Sequence, residues 1–326
     1  MTDRKRVKPS LNKQFFIGAG FLVAFYGASM LSARAATYEA SKLVVNDVTA
    51  DIRVTTTAED EIDVVIRQGT VFMPIKVSHD GDTVVLQGEG FEDPEGGCCD
   101  NRVTRTFDAR ADRELRDGPD AALSKYPVIE ISMPRVGEAT FDDVRMKLAM
   151  GSLDGTLTMD ACYVYGEIGD TEEAYVGVVS GSVLTMGDVK ATLEVDVSGN
   201  AGVRIANASA VDVDISGSGD VVLGQIDGML DASIAGSGRV QAGKVTGPMT
   251  VRIAGSGGVA VAGGRVDPLK AIIEGSGVVI FDGTASSTDL RLSRSAEVRL
   301  GNVRGRLGRV GAGAVYVRDE LVERAE

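Results

Sequence analysis

The sequence predicts an all-β protein whose C-terminal half is a right-handed parallel β-helix, or β-solenoid, with roughly 18–20 residues per turn. Three observations support this fold class. Aromatic residues make up 5% of the 326 residues, Trp is absent and Gly numbers 41, which favours a backbone-dominated β fold. Apolar and polar residues alternate in many segments, as in half-buried strands. A Gly-Ser-Gly string recurs at a nearly constant interval.

The first 35 residues have the composition of a signal peptide. Five basic residues precede an uncharged apolar run from Phe15 to Leu31, and Ala33-Arg34-Ala35 supplies the small residues of a cleavage site. We predict a signal peptide at 1–35 that is cleaved after Ala35. The apolar run also reaches the lower limit of length for a spanning helix, so an uncleaved anchor is the alternative. Either form sends the rest of the chain to the periplasm or cell surface of a Gram-negative bacterium.

The predicted mature protein is strongly acidic. Removal of 1–35 leaves 28 basic and 46 acidic residues, a formal charge of −18. This charge disfavours nucleic acid and anionic lipid as partners. We therefore expect no nucleic acid partner, and a membrane contact only through the N-terminal segment if it stays uncleaved.

Residues 36–150 are predicted to form an N-terminal β region. Segments such as Val48–Val54 and Ile129–Met133 place apolar side chains on one face of a strand. A charged insert at about 87–127 has little periodicity, which predicts a long solvated loop in which 109–116 could form a short helix.

Residues 151–316 contain the repeat that decides the fold. Aligned copies run from LEVDVSGNAGVRI at 193–205 to LRLSRSAEVRL at 290–300, and their corner position falls at Gly199, Gly217, Gly236, Gly255, Gly275 and Arg294. A single copy buries too few aliphatic side chains to offset the entropy of ordering it, so the copies must stack. An interval near 19 suits a β-helix turn better than a propeller blade of about 40–45 residues. Right-handedness follows from the chirality of parallel crossovers.

Two glycines mark each corner. In the copy at 211–223 they share the inward parity of Val211, Val213 and Ile215. We therefore predict core positions where no Cβ fits and the chain turns sharply or approaches another wall. These corner residues are Gly199, Gly217, Gly219, Gly236, Gly238, Gly255, Gly257, Gly275 and Gly277.

The serines between the glycines are predicted to point outward and to stack about 4.8 Å apart. This ladder comprises Ser218, Ser237, Ser256, Ser276 and Ser295. It could bind a glycan or a protein surface, or it could be the by-product of a tight corner. Arg294 and Ala296 replace both glycines at the last copy, which predicts that the stack ends there, and the charged tail at 317–326 is predicted to cap it.

The strings SGSGDV, AGSGRV, AGSGGV and EGSGVV resemble the bacterial putative autotransporter adhesin head GIN domain family. The resemblance covers about residues 140–316. It implies an exported β-solenoid of undefined activity and carries over no catalytic residues. Because nine residues follow Val317, we expect no translocator barrel.

The residues indicate no catalytic, cofactor or metal site. The only histidine, His79, has no partner motif for a triad or a zinc site. Asp220 lies in a string similar to calcium-binding nonapeptides, but the equivalent positions of four other copies are not acidic. We expect acidic residues not to line up between turns, although a cluster of Asp188, Asp196 and Asp212 remains open.

Three cysteines in an oxidising compartment indicate one disulfide and one free thiol. A bond from Cys98 or Cys99 to Cys162 would join the insert to the start of the solenoid. A bond between Cys98 and Cys99 is the alternative.

Together these features predict a monomeric, non-enzymatic, adhesin-like module that binds an unknown envelope polymer or protein. One alternative is a self-assembling scaffold that resembles bactofilins. The other is a glycan-cleaving enzyme built on a β-helix.

Overall fold

The computed structural model describes residues 34–88, 123–179 and 181–323. Within them, 24 strands join into one continuous sheet. Most strand pairs are parallel and stack successive turns of the chain, so the predicted all-β solenoid is confirmed. Among these residues, no helix has the length and apolar character needed to cross a membrane.

The N-terminal strands combine parallel stacking with three antiparallel pairs. Strands β2 and β3 each pair in parallel with β8, whereas β1 with β4, β4 with β7, and β5 with β6 are antiparallel. Their bounds are β1 Arg34–Glu39, β2 Lys42–Asn46, β3 Thr49–Thr57, β4 Glu61–Arg67, β5 Ile75–Asp80, β6 Thr83–Gly88, β7 Val128–Pro134 and β8 Glu138–Met150.

The central strands form the regular part of the stack, in which each strand pairs in parallel with strands of the preceding and following turns. Their bounds are β9 Leu153–Ile168, β10 Thr171–Val178, β11 Val183–Met186, β12 Val189–Gly199, β13 Gly202–Gly217, β14 Asp220–Ile226, β15 Leu230–Gly236, β16 Arg239–Gly255, β17 Gly258–Val261, β18 Gly264–Gly275 and β19 Val278–Ala285.

The last strands extend the stack beyond Arg294. They are β20 Thr288–Leu292, β21 Glu297–Val303, β22 Leu307–Gly311, β23 Ala314–Val317 and β24 Glu320–Leu321. Strand β22 pairs with β20 and β23 with β21, both in parallel. Strand β24 folds back antiparallel on β23, where the predicted cap would lie.

The expectation that the stack ends at Arg294 is wrong. The corner there closes as a turn in which the Ala296 amide donates to the Ser293 carbonyl at 3.2 Å. Ala296 is 2% exposed, so the core accepts its methyl group, and the Arg294 side chain lies outside. One corner can therefore lose both glycines without ending the stack, and Gly311 returns to a positive φ one turn later.

The strand register follows the spacing of the glycines. Gly199 pairs with Gly217, Gly217 with Gly236, Gly236 with Gly255 and Gly255 with Gly275. Inside the stack, one hydrophobic core extends from Ala40 to Val315. Because inward side chains repeat at every turn, each turn packs on the aliphatic layer of its neighbours.

Parallel pairing runs across residue 150, where the N-terminal region was predicted to meet the solenoid. Strand β8 pairs with β9 from Glu138 with Thr156 to Met150 with Ile168. Stacking therefore reaches back to β2. The predicted signal peptide lies outside the described residues up to residue 33, and the predicted cleavage point after Ala35 falls within β1. Most of the predicted insert, including 109–116, also lies outside them.

Candidate functional site

One outer face of the stack carries a shallow groove of about 680 Å³. It crosses strands from β9 to β18, and because the strands are in register, its outward side chains form columns that run from turn to turn. The first column comprises Asp160, Gly177, Asp196, Asp214, Ser233, Arg252 and Ile272. We call this surface the outer groove.

A second column of mostly small side chains lies beside the first. Its members Ser198, Ser216, Ala235, Ala254 and Glu274 are all exposed and line the outer groove. Small side chains leave the sheet backbone close to any bound molecule.

The predicted serine ladder lies at the corner beyond this column. Ser218, Ser237, Ser256, Ser276 and Ser295 are all exposed, and the hydroxyl oxygens of Ser237 and Ser256 are 3.3 Å apart. The backbone amides of the first four serines donate hydrogen bonds of 2.8–2.9 Å, and each acceptor is the carbonyl oxygen of the first glycine in the preceding corner. The stacking therefore exists, but these serines do not line the outer groove. A binding role for the ladder stays a prediction.

The expectation that acidic residues do not line up between turns is wrong. Asp196 pairs in register with Asp214, and Asp142 with Asp160. A parallel column two residues earlier contains Glu194, Asp212 and Asp231. The aligned repeats already hold these positions at equal distances from the corner, so the columns could have been found from the sequence.

The predicted cluster of Asp188, Asp196 and Asp212 is only partly assembled. Asp196 and Asp212 lie on the same face in neighbouring turns. Asp188 instead lies at the corner before β12, where its carboxylate accepts a hydrogen bond from Asn207 Nδ2 at 2.8 Å and its amide donates to Asp170 Oδ1 at 2.9 Å. Asp188 therefore belongs to a polar ladder that closes a corner.

Basic side chains also contribute to this face. Arg252 Nη1 donates to Asp231 Oδ1 at 2.6 Å. This bond connects the first column to the acidic column of Glu194, Asp212 and Asp231. Asp160, Glu194, Asp196, Asp212 and Asp214 also take part in polar or electrostatic interactions. Carboxylates still outnumber basic groups along the first column and the column of Glu194, Asp212 and Asp231, which makes the face acidic.

The shifted pKa values among the described residues belong to surface ion pairs and hydrogen bonds. Hydrogen bonds from Lys190 and Arg135, each at 2.8 Å, lower the pKa of Asp154. Arg67 lowers the pKa of Glu130, and Ser41 lowers the pKa of Asp82. Each shift thus has an ordinary partner that stabilises the ionised form.

The two glycines of a corner meet different constraints. A Cβ at Gly238, the second glycine of its corner, would lie 2.5 Å from Ile215 Cγ2, so the core leaves no room for a side chain there. Gly217 has a φ of +127°, and a Cβ there would lie 2.6 Å from the Gly199 carbonyl oxygen. The first glycine is therefore required by its backbone conformation and by the turn stacked on it, rather than by the core.

The remaining candidate residues are His79 and Asp220. His79 is exposed, with Nε2 at 3.2 Å from the Glu39 carbonyl oxygen. Asp220 lies in register between Gly202 and Arg239. In residues 34–88, 123–179 and 181–323, no group of three His, Cys, Asp or Glu side chains could hold a metal ion.

Cys162 is disulfide-bonded. The other two cysteines of the chain, Cys98 and Cys99, lie outside the described residues. Which of them is the partner stays a prediction.

The solved structures to which the chain is similar include three proteins from Parabacteroides distasonis and Bacteroides fragilis. A putative adhesin from Parabacteroides distasonis ATCC 8503 is 12% identical, with a TM-score of 0.43 over 89% of this chain and 98% of that chain. A putative lipid binding protein from the same strain is 10% identical, with a TM-score of 0.34 over 87% and 96%. A putative adhesin from Bacteroides fragilis NCTC 9343 is 13% identical, with a TM-score of 0.26 over 88% and 97%.

Comparison with curated proteins found no match. A family model does match part of the chain. Its description is "Putative auto-transporter adhesin, head GIN domain", and the match covers residues 191–285, the segment with the most regular Gly-Ser-Gly corners. Residues 191–285 thus match the head GIN domain family, as the repeated strings predict.

Proposed function

We propose that this chain is an exported, non-enzymatic binding module of the bacterial envelope, adhesin-like in its role, which binds a cationic envelope polymer or protein segment in the outer groove. The observation that carries this proposal is the combination of a small-residue column with two acidic columns on one face of a continuous parallel sheet.

The geometry of the sheet suits an extended ligand. Neighbouring turns are one strand spacing apart, about 4.8 Å, so a chain lying along the solenoid meets equivalent positions at regular steps. The sheet is braced on its inner side by the fully buried aliphatic layer. A groove on such a surface keeps its shape when a ligand binds, which reduces the entropy lost on binding.

The charge of the face favours a cationic ligand. Asp196 and Asp214 line the groove, and Glu194 and Asp212 lie beside them on the same face. Like-signed groups in a groove raise the local concentration of counter-charged ligands and accelerate their association. The formal charge of −18 on the predicted mature chain acts in the same direction.

The test introduces charged side chains at two positions that line the outer groove. We expect Ala235→Lys with Ala254→Lys to lower cosedimentation with purified cell envelopes, and binding of fluorescent polylysine, by about tenfold or more. Ala235→Glu with Ala254→Glu adds similar bulk with the opposite charge, so we expect binding of polylysine to be kept or strengthened.

Ala260→Lys is the control for a lysine added outside the groove, because Ala260 lies in β17 and does not line the groove. Equal binding by the lysine double variant and the unmodified protein would contradict the proposal. Release of soluble oligosaccharide from the envelopes would instead support the glycan-cleaving alternative.

A further inference from the structure

The loop between β4 and β5 displays two apolar side chains to solvent. Phe72 is 70% exposed and Val71 is 40% exposed. The segment from Gln68 to Ile75 contains no charged residue. Together Val71 and Phe72 form a small apolar patch on an otherwise acidic protein.

The base of the loop is held in place by several contacts. The side chain of Gln68 donates to the Met73 carbonyl at 2.9 Å and accepts from the Met73 amide at 3.2 Å. The Val71 amide donates to the Lys125 carbonyl at 2.8 Å. Met73 is buried next to the tip. Val71 and Phe72 are therefore exposed in a loop whose conformation is fixed by hydrogen bonds at its base.

The loop lies at the end of the sheet where the chain enters from its N-terminal segment. Strands β1 and β4 are antiparallel, and Arg34 pairs with Ile66, so β4 ends beside the start of β1. The apolar run that ends at Leu31 is only three residues before Arg34. Three extended residues span at most about 11 Å.

We propose that Val71 and Phe72 insert into the lipid–water interface of the membrane that holds the N-terminal apolar segment in the uncleaved form of the protein. Transfer of the apolar side chains of an uncharged tip from water into this interface lowers the free energy of the system. In that form, the three-residue step from Leu31 to Arg34 would limit how far the start of β1, and the end of β4 beside it, can lie from the lipid surface. The loop would then orient the solenoid on the membrane.

The absence of Trp from the chain allows a direct test with a single fluorophore. The full chain carrying Phe72→Trp is reconstituted into phosphatidylcholine vesicles and recovered by flotation. We expect its emission to shift to shorter wavelength and to be quenched at least about twofold by phosphatidylcholine with brominated acyl chains.

Val136→Trp is the matched control. Val136 is 72% exposed, and it follows Pro134, the last residue of β7. Because β7 runs antiparallel to β4, this position lies at the opposite end of these strands from the Phe72 loop. We expect its emission to stay that of an exposed Trp and not to respond to bromine.

Two results would overturn the proposal. One is an unshifted, unquenched Phe72→Trp in the floated vesicles, and the other is equal quenching of both variants, which would mean non-specific adsorption. The measurement does not depend on ligand binding in the outer groove, so its failure is distinguishable from failure of the proposed function.

Discussion

The corner glycines show at the level of single residues how much the sequence predicts. Inward parity places Gly219 and Gly238 toward the core, and a Cβ at either position would lie within 2.5 Å of an aliphatic side chain. The same parity rule does not reveal that Gly217 and Gly236 adopt a positive φ, because alternation carries no information about backbone conformation. That constraint becomes visible only when the neighbouring turns are placed.

Gly236→Ala tests this second constraint. Gly236 has a φ of +128°, and a Cβ would strike the carbonyl oxygen of Gly217 in the stacked turn. We expect the variant to lose about 1–3 kcal/mol of unfolding free energy, measured by urea denaturation. Gly263→Ala is the control, since a Cβ there meets nothing within 4 Å. Equal stability of the two variants would refute the account.

At the level of elements, one carboxylate connects several segments of the stack through surface ion pairs. Asp154 at the start of β9 receives hydrogen bonds from Arg135, in the connection between β7 and β8, and from Lys190 in β12. Both partners lower the pKa of Asp154, so the folded state favours its ionised form. The ion pairs therefore join segments that are distant in sequence.

This network predicts a pH dependence of stability. Because the folded pKa of Asp154 lies below its unfolded value, its contribution is present above the ordinary pKa of Asp, about 4, and is lost as the pH falls through the folded pKa. We expect Asp154→Asn to lower the urea midpoint at neutral pH, and we expect this difference to be smaller near pH 3, where protonation of the carboxylate removes part of its contribution.

The control for this measurement is Asp289→Asn in β20, which lies away from the network. A constant difference between the protein and Asp154→Asn at both pH values would show that the lost stability is not electrostatic.

Elements upstream of residue 150 show where sequence reasoning stops. Alternation of apolar residues correctly identifies strands around β3 and β7, but it has the same period in parallel and antiparallel sheets. The long charged insert also interrupts the repeat, so the sequence pattern does not identify β2 and β3 as part of a solenoid turn. Their parallel pairing with β8 is therefore a structural finding.

At the scale of the whole molecule, the hydrophobic core is continuous across the predicted boundary at residue 150. Phe141 and Met146 in β8 and Leu157 in β9 are fully buried in the same core. Stability in stacked structures comes mainly from the interfaces between turns. Removing the N-terminal turns should therefore expose a buried layer.

We expect a chain that begins at residue 151 to unfold at a lower temperature than one that begins at Ala36, and to associate through the uncovered edge of β9. Differential scanning calorimetry and light scattering measure the two effects. A monomer with an unchanged melting temperature would show that residues 151–323 form an independent domain.

The register of the stack has a consequence for how such a protein could change over evolutionary time. Successive corners repeat at a nearly constant interval and pair glycine with glycine. Tandem duplication of one such unit would add one more turn, and with it one more member of every outward column. The length of a recognised ligand could thus grow in single steps while the chemistry of each existing contact stayed the same.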